Sequence, residues 1–112
     1  MLELVPNWDY DLSMRVISQS KLKTFYSKHA NAEQALKAWY DEAKKASWKT
    51  PQQIKDQFRS ASFVGNNRVV FNILGNKYRL IVAVAYRYGA VYIKFVGTHA
   101  EYDAIEAETV DR

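Results

Sequence analysis

Hydrophobic and polar residues alternate along the stretch from Arg68 to Asp103, and two short turn signals divide it into three runs. Gly75-Asn76 and Tyr88-Gly89 each stand between runs rich in β-branched and aromatic residues, a pattern typical of β-hairpins. The stretch therefore predicts a three-stranded antiparallel sheet followed by a polar segment.

Two-residue turns would fix the register of both hairpins and sort the side chains into two faces. One face is apolar and predicts the core, with Val69, Phe71, Ile73, Leu80, Val82, Val84, Tyr86, Val91, Ile93 and Phe95. The other is basic at its edges and small in its middle, with Arg68, Val70, Asn72, Arg79, Ile81, Ala83, Ala85, Arg87, Tyr92 and Lys94. In these registers Tyr86 pairs with Val91, and Arg79 lies between Asn72 and Thr98.

Two amphipathic helices with a short connection precede the sheet. Spacings of three and four predict a first helix over residues 19–29, whose apolar stripe is Leu22, Phe25, Tyr26 and His29. Asn31 followed by Gln34 predicts an N-cap with its capping-box partner, which opens a second helix to about residue 47. His29, on the apolar stripe, is interpreted as a structural histidine.

A third, short helix to about residue 58 is predicted because Thr50 is a good cap, Pro51 suits the first helical position and Gln53 follows. Arg15 to Ser18 reads as a short strand. The predicted fold class is α+β, in which an N-terminal helical hairpin packs on three main antiparallel strands and one short N-terminal strand, with a short C-terminal helix. Residues 14–112 are assigned to one domain and residues 1–13 to an irregular extension, with Met14 as an alternative initiator.

Composition narrows the class of protein. A chain of 112 residues with 48% hydrophobic content is sufficient for one globular domain. Without cysteine there is no disulfide or zinc–thiolate site, and two histidines are too few for a typical His-rich metal site. No apolar run is long enough to span a bilayer. We therefore expect a cytoplasmic protein that needs neither a metal nor another cofactor.

Charge is segregated along the chain. Residues 14–100 hold 15 Lys and Arg against four acids, whereas the first 13 residues carry a net charge of −3 and the last twelve of −4. A basic body of this size is typical of proteins that bind RNA, DNA or an acidic protein partner. A solvated, lysine-rich helical surface is the alternative interpretation.

The basic face is a candidate phosphodiester site, since Arg and Lys neutralise phosphate oxygens and tyrosine stacks on bases. The predicted catalytic residues are His99, Arg79 and Tyr102, with His99 preferred for proton transfer because histidine gives and takes protons near neutral pH. The predicted RNA contacts are Arg68, Asn72, Lys77, Arg87, Tyr92, Lys94 and Thr98. The alternatives are a salt-bridged surface arginine for Arg79 and a loop or capping histidine for His99.

A resemblance to a known family rests on V-V-F-N-I-L-G-N-K-Y-R-L together with F-V-G-T-H-A-E-Y-D. These segments resemble the HigB-type toxins of bacterial type II toxin–antitoxin systems, within the RelE/ParE superfamily. The resemblance covers residues 14–105, including the central A-W-Y-D-E-A-K-K-A-S-W-K-T-P. It implies a RelE-like fold and an endoribonuclease that cleaves mRNA on the 70S ribosome. It also implies a HigA-like helix-turn-helix antitoxin, through which alone the toxin would reach operator DNA.

The resemblance assigns some residues and leaves others open. The Arg of Y-R-L carries over to Arg79, a phosphate binder in RelE-like enzymes, and a cationic position of the family falls near His99. The paired lysines of some relatives are replaced by Val70 and Asn72, so the general acid and base stay open. The expected chemistry is attack of the RNA 2′-hydroxyl on its own 3′-phosphate without a metal. A ParE-like gyrase poison and a non-catalytic RNA-binding protein are the other candidate classes.

Overall fold

The computed structural model describes residues 13–112, so the predicted extension lies, apart from Ser13, outside the described residues. The strands are β1 (Arg15–Ile17), β2 (Ser62–Val64), β3 (Arg68–Ile73), β4 (Tyr78–Ala85) and β5 (Ala90–Thr98). The helices are α1 (Ser20–Lys28), α2 (Glu33–Lys45), α3 (Pro51–Gln57) and α4 (His99–Asp103). Within residues 13–112, no helix has the length and apolar character required to cross a membrane.

The strands form one mixed sheet in the order β1-β5-β4-β3-β2. β1 pairs with β5 in parallel, and the other neighbours are antiparallel. The α+β class and the short N-terminal strand are confirmed, but the predicted strand count is wrong because β2 adds a fifth strand. This strand has only three residues, too few for alternation to reveal it, and pairing with β3 is what defines it.

The first hairpin has the predicted register. Asn72 lies opposite Arg79, and pairing continues to Ile73 and Tyr78. The loop contains four residues rather than two, but it is centred on the same Gly75-Asn76 pair, so the register does not change. Gly75 has a φ of +66°, a conformation in which glycine has no steric cost.

The second hairpin differs from the predicted register. Tyr86–Tyr88 form a 3-10 turn that ends at Gly89, so Ala85 rather than Tyr86 is the last paired residue of β4. Val84 consequently lies opposite Val91, and the register shifts by two positions. A shift of two leaves each side chain on its predicted face, because strand side chains alternate with a period of two.

A β-bulge then adds a shift of one position farther along β5. Val82 pairs with Ile93 and Ile81 with Phe95, so Lys94 is the extra residue. The bulge moves Phe95 from the predicted core face to the opposite face. Val96 takes the core-facing position instead and packs, partly buried, against the core.

One of the predicted helix starts is confirmed and another is wrong. The Thr50 side chain accepts a hydrogen bond from the Gln53 N–H, and Pro51 opens α3. Asn31, by contrast, lies in a 3-10 turn before α2, and Ala32 occupies the N-cap without a side-chain bond. The Asn31 side chain instead accepts a hydrogen bond from the Tyr78 hydroxyl at 2.5 Å, so it joins the helical hairpin to β4.

The core lies between the helices and one face of the sheet. All predicted core-face residues except Tyr86 and Phe95 are buried there. At its centre the Phe71 ring lies edge-on to Trp39 at 5.4 Å and to Phe58 at 5.0 Å between centroids. These apolar contacts anchor β3 beneath α2 and the end of α3.

The opposite face was predicted to be an open basic surface, and this is wrong over much of its area. Val70 and Ile81 are buried, and Arg68 is only 5% exposed. The Arg68 Nη1 atom donates hydrogen bonds to the main-chain carbonyls of Ala107 and Val110. The segment after α4, residues 104–112, therefore crosses this face and forms a second layer; we call it the C-terminal strap.

Arg68→Met should lower the free energy of unfolding by about 1–3 kcal/mol, because two strap carbonyls lose a charged donor. Urea unfolding measures this difference. Arg59→Met, at an exposed position, is the matched control and should change stability by less than about 0.5 kcal/mol. Equal stability of the two variants would contradict the structural role of Arg68.

Candidate active site

A capping box joins β5 to α4 and fixes the start of that helix. The Thr98 hydroxyl accepts a hydrogen bond from the Glu101 N–H at 3.1 Å, and Glu101 Oε1 accepts one from the Thr98 N–H at 2.8 Å. Gly97 precedes them, and a Cβ there would lie 2.4 Å from the Phe95 ring. The Phe95 ring therefore lies against Gly97, and a larger residue there would require the ring to move.

Arg79 lies beside this helix at the first hairpin loop. Its Nη2 atom donates to Asn76 Oδ1 at 2.8 Å, and its Nη1 atom donates to the Asn76 carbonyl at 3.1 Å. The guanidinium Cζ lies 5.7 Å from the centroid of the Tyr102 ring, a cation–π distance. Arg79 is thus held between the loop and α4 while remaining partly exposed.

His99 is exposed at the first position of α4, about one helical turn before Tyr102. Its Nδ1 atom lies 3.2 Å from Asp103 Oδ2, and within residues 13–112 its Nε2 atom has no hydrogen-bond partner. An imidazole, a guanidinium and a phenol thus share one end of the sheet. In the described part of the chain no three His, Asp or Glu side chains group closely enough to hold a metal ion.

Three further predicted residues lie at this end of the sheet. Asn72 is exposed opposite Arg79, and Lys77 is exposed in the loop next to Asn76. The predicted row is nevertheless wrong at Thr98, because the bulge places Gly97 opposite Arg79 and Thr98 opposite Tyr78. Thr98 serves the site by capping α4.

The other predicted RNA contacts lie elsewhere. Arg68 and Tyr92 belong to a row four residues along β4 from Arg79, roughly 13 Å away at about 3.3 Å per residue. Arg87 lies farther still, in the 3-10 turn. Lys94 stands between these groups at the edge of the sheet. Only part of the predicted basic face therefore surrounds His99, Arg79 and Tyr102.

The predictions missed three supporting residues, Glu101, Asp103 and Asn76, and the sequence contained a signal for the first two. Thr98 and Glu101 have the T-x-x-E spacing of a capping box. Asp103 follows His99 by four residues, the spacing that brings helix side chains together. Asn76 was interpreted only as a turn residue, and its bond to Arg79 becomes evident once the loop is folded.

A histidine, an arginine and a tyrosine grouped on a small basic α+β domain are features expected of a phosphodiester-cleaving protein. Residues 32–105 match the family model HigB_toxin, described as the RelE-like toxic component of a toxin–antitoxin system. The chain therefore belongs to the HigB toxin family.

Individual relatives match over most of their length. The chain is 31% identical over 96 residues to the mRNA interferase toxin HigB of Escherichia coli K12, which covers 84% of this chain and 92% of that protein. The mRNA interferases HigB of Escherichia coli O157:H7 and Shigella flexneri match to the same extent. The matched region of the family model includes β2 to β5 and α4, the elements that form the candidate site.

Thr98→Val should destabilise α4 by about 1 kcal/mol, because the isosteric side chain cannot accept the Glu101 N–H. Amide hydrogen exchange at Glu101 measures the loss directly. Thr98→Ser retains the hydroxyl and should keep exchange close to that of the parent protein. Equal exchange rates in the two variants would contradict the capping role.

Proposed function

We propose that the protein is an mRNA interferase, the toxin of a HigBA-type toxin–antitoxin module, which cleaves mRNA and so inhibits translation. The observation that carries the proposal is the contact between Arg79 and Tyr102, since Tyr102 lies on the same short helix as His99. Membership of the HigB toxin family and the names of its relatives support RNA as the substrate.

The chemistry begins with the 2′-hydroxyl of RNA, whose oxygen attacks the adjacent 3′-phosphorus. A base takes the 2′-hydroxyl proton, the bond from phosphorus to the 5′-oxygen breaks, and an acid protonates that oxygen. The products are a 2′,3′-cyclic phosphate and a 5′-hydroxyl. No metal takes part in this route.

We assign the proton transfer first to His99, because its exposed ring has a nitrogen free to meet the substrate and Asp103 holds the other. Arg79 neutralises the charge that develops on the phosphorane oxygens. Tyr102 orients the neighbouring base or assists as the acid. Asn72 and Lys77 lie at the same end of the sheet and complete the contacts with RNA, while Thr98 holds the start of α4.

We also propose a cellular setting, which the resemblance to HigB-type toxins supports. The protein has a RelE-like fold and acts on mRNA bound in the 70S ribosome. The site has few acid–base groups, so the ribosome holds the attacking oxygen and the leaving oxygen in line. A HigA-like helix-turn-helix antitoxin neutralises the toxin and links it to operator DNA. The site of action is the cytoplasm.

His99→Ala should reduce mRNA cleavage by a factor of about 100 to 10,000, the usual contribution of a general acid or base. Arg79→Ala should also abolish growth inhibition in cells that lack the antitoxin. Arg59→Ala removes an exposed arginine from the turn between α3 and β2 and should remain toxic. Full toxicity of both site variants would refute this site.

Mapping of mRNA 5′ ends after induction tests the activity itself. New ends should accumulate only when ribosomes are translating. Intact mRNA accompanied by a DNA-damage response would instead favour a ParE-like gyrase poison. Intact mRNA without DNA damage would favour a protein that binds RNA without cleaving it.

Replacing the ribose at the cleaved position by 2′-deoxyribose should abolish cleavage, because the attacking oxygen is missing. Cleavage of ribosome-bound RNA followed by end-group analysis provides the measurement, and a 2′-deoxy substitution several nucleotides away is the control. A 5′-phosphate on the downstream product would contradict 2′-hydroxyl attack.

A further inference from the structure

A cleft of about 420 Å³ separates α1 from β5. Three lysines line it, Lys21 and Lys28 from α1 and Lys94 from β5, together with the hydroxyl group of Thr24. Cations and a hydroxyl group around an open concavity are suited to phosphate oxygens. The lysines of α1 belong to none of the contacts assigned above.

Strand pairing explains why this edge of the sheet is open among residues 13–112. β1 pairs with Ala90–Tyr92, so within that described range the rest of β5 has no strand neighbour on that side. The bulge at Lys94 lies where this pairing has ended, and α1 rather than a strand faces the free edge. The cleft ends at Glu101 of α4, so it leads to the helix that carries His99.

An anionic group of the protein itself already occupies the mouth of the cleft. Lys21 Nζ lies 2.7 Å from Asp111 Oδ2, and Lys94 Nζ donates to the Asp111 carbonyl at 3.2 Å. The hydrogen bond from Lys21, its charge and then the charges of Lys94 and Arg68 hold the pKa of Asp111 below its usual value. The site therefore binds one carboxylate, and that carboxylate comes from the acidic C-terminal strap.

We propose that this cleft binds phosphate groups of the RNA chain beside the scissile one, and that Asp111 occupies the lysine pair until RNA displaces it. Displacement is feasible because the Lys21 and Asp111 side chains are 38% and 50% exposed, and exposed ion pairs are weak. Phe95 offers an aromatic wall on which a base can stack. This inference rests on the proposed function, because RNA enters the cleft only if RNA is the substrate.

The continuity of the cleft with α4 favours RNA over an acidic segment of the antitoxin. An RNA chain that is cleaved at His99 extends away from the site in both directions. The lysine-lined cleft can hold the chain on one side of the cleaved bond. A single-stranded chain in such a groove is held by its backbone charge with little dependence on sequence.

Binding of a short single-stranded 2′-O-methyl RNA, measured by fluorescence anisotropy, tests the cleft without cleavage. Lys28→Gln should weaken binding by a factor of about 3 to 10 and reduce the slope of log affinity against log salt by about 0.7, the loss of one phosphate contact. Lys28 makes no bond to the strap in the described part of the chain, so its replacement leaves Asp111 in place.

Lys23→Gln is the matched control, because Lys23 lies on the same helix, is exposed and does not line the cleft. It should weaken binding by less than a factor of about 2, through long-range charge alone. Equal effects of Lys28→Gln and Lys23→Gln would overturn the cleft. Weaker antitoxin binding with unchanged RNA binding in Lys28→Gln would also overturn it and assign the cleft to the protein partner.

Asp111→Asn tests the displacement, since it keeps the side-chain size and removes the competing charge. RNA binding should strengthen by a factor of about 2 to 5, and an unchanged affinity would refute competition by Asp111. Failure of the cleft and failure of the proposed function can be told apart. A parent protein that cleaves mRNA while Lys28→Gln matches the control refutes only the cleft, whereas a parent protein without cleavage refutes the proposed function.

Discussion

Lys94 is the extra residue of the bulge in β5, and the arrangement of the candidate active site depends on this bulge. Strand side chains alternate between faces, so one inserted residue reverses the direction of every residue beyond it. The reversal gives Val96 the core position, moves Phe95 off the core face and brings Gly97 opposite Arg79. The capping box then starts α4 beside Arg79, with His99 at its first position. Without the bulge, the residues of β5 after Lys94 would point to the opposite faces, and Phe95 rather than Val96 would face the core.

The C-terminal strap explains how a basic body and an acidic end coexist in one chain. The strap covers the second face of the sheet, where Arg68 donates to its carbonyls and Lys94 to its Asp111 carbonyl. On the same face Val70 and Ile81 are buried as well, although each is apolar and lies outside the core between sheet and helices. The strap also covers Arg68 on this face, whereas Arg79 beside the hairpin loop stays partly exposed. The acidic C-terminal end of the sequence thus packs on the basic body in the folded protein. The basic residues that stay exposed can still attract a polyanion.

The sequence predicted the elements more reliably than their connections. The first hairpin was correct because the Gly75-Asn76 pair marks the centre of the loop whether two or four residues form it. The second was wrong because Tyr86 is a good strand residue that the structure uses in a 3-10 turn. Asn31 has the composition of a cap, yet its side chain is engaged by Tyr78 from a strand far along the chain. Local propensity cannot register a partner of this kind.

What the sequence determined alone was the set of local periods and short-range motifs: amphipathic helices, the alternating strands, and the Thr98, His99 and Tyr102 segment that begins α4. Membership of the HigB toxin family also comes from sequence, through the match of residues 32–105 to the family model and through the relatives. Tertiary structure decided which face remained accessible, because the bulge, the fifth strand and the strap all depend on pairing between distant residues. Arg68 and Arg79 look alike in sequence, each basic and on the same predicted face. Arg68 is buried beneath the strap, whereas Arg79 remains partly exposed beside the first hairpin loop. The sequence cannot separate them, because the position of the strap is decided only in the folded chain.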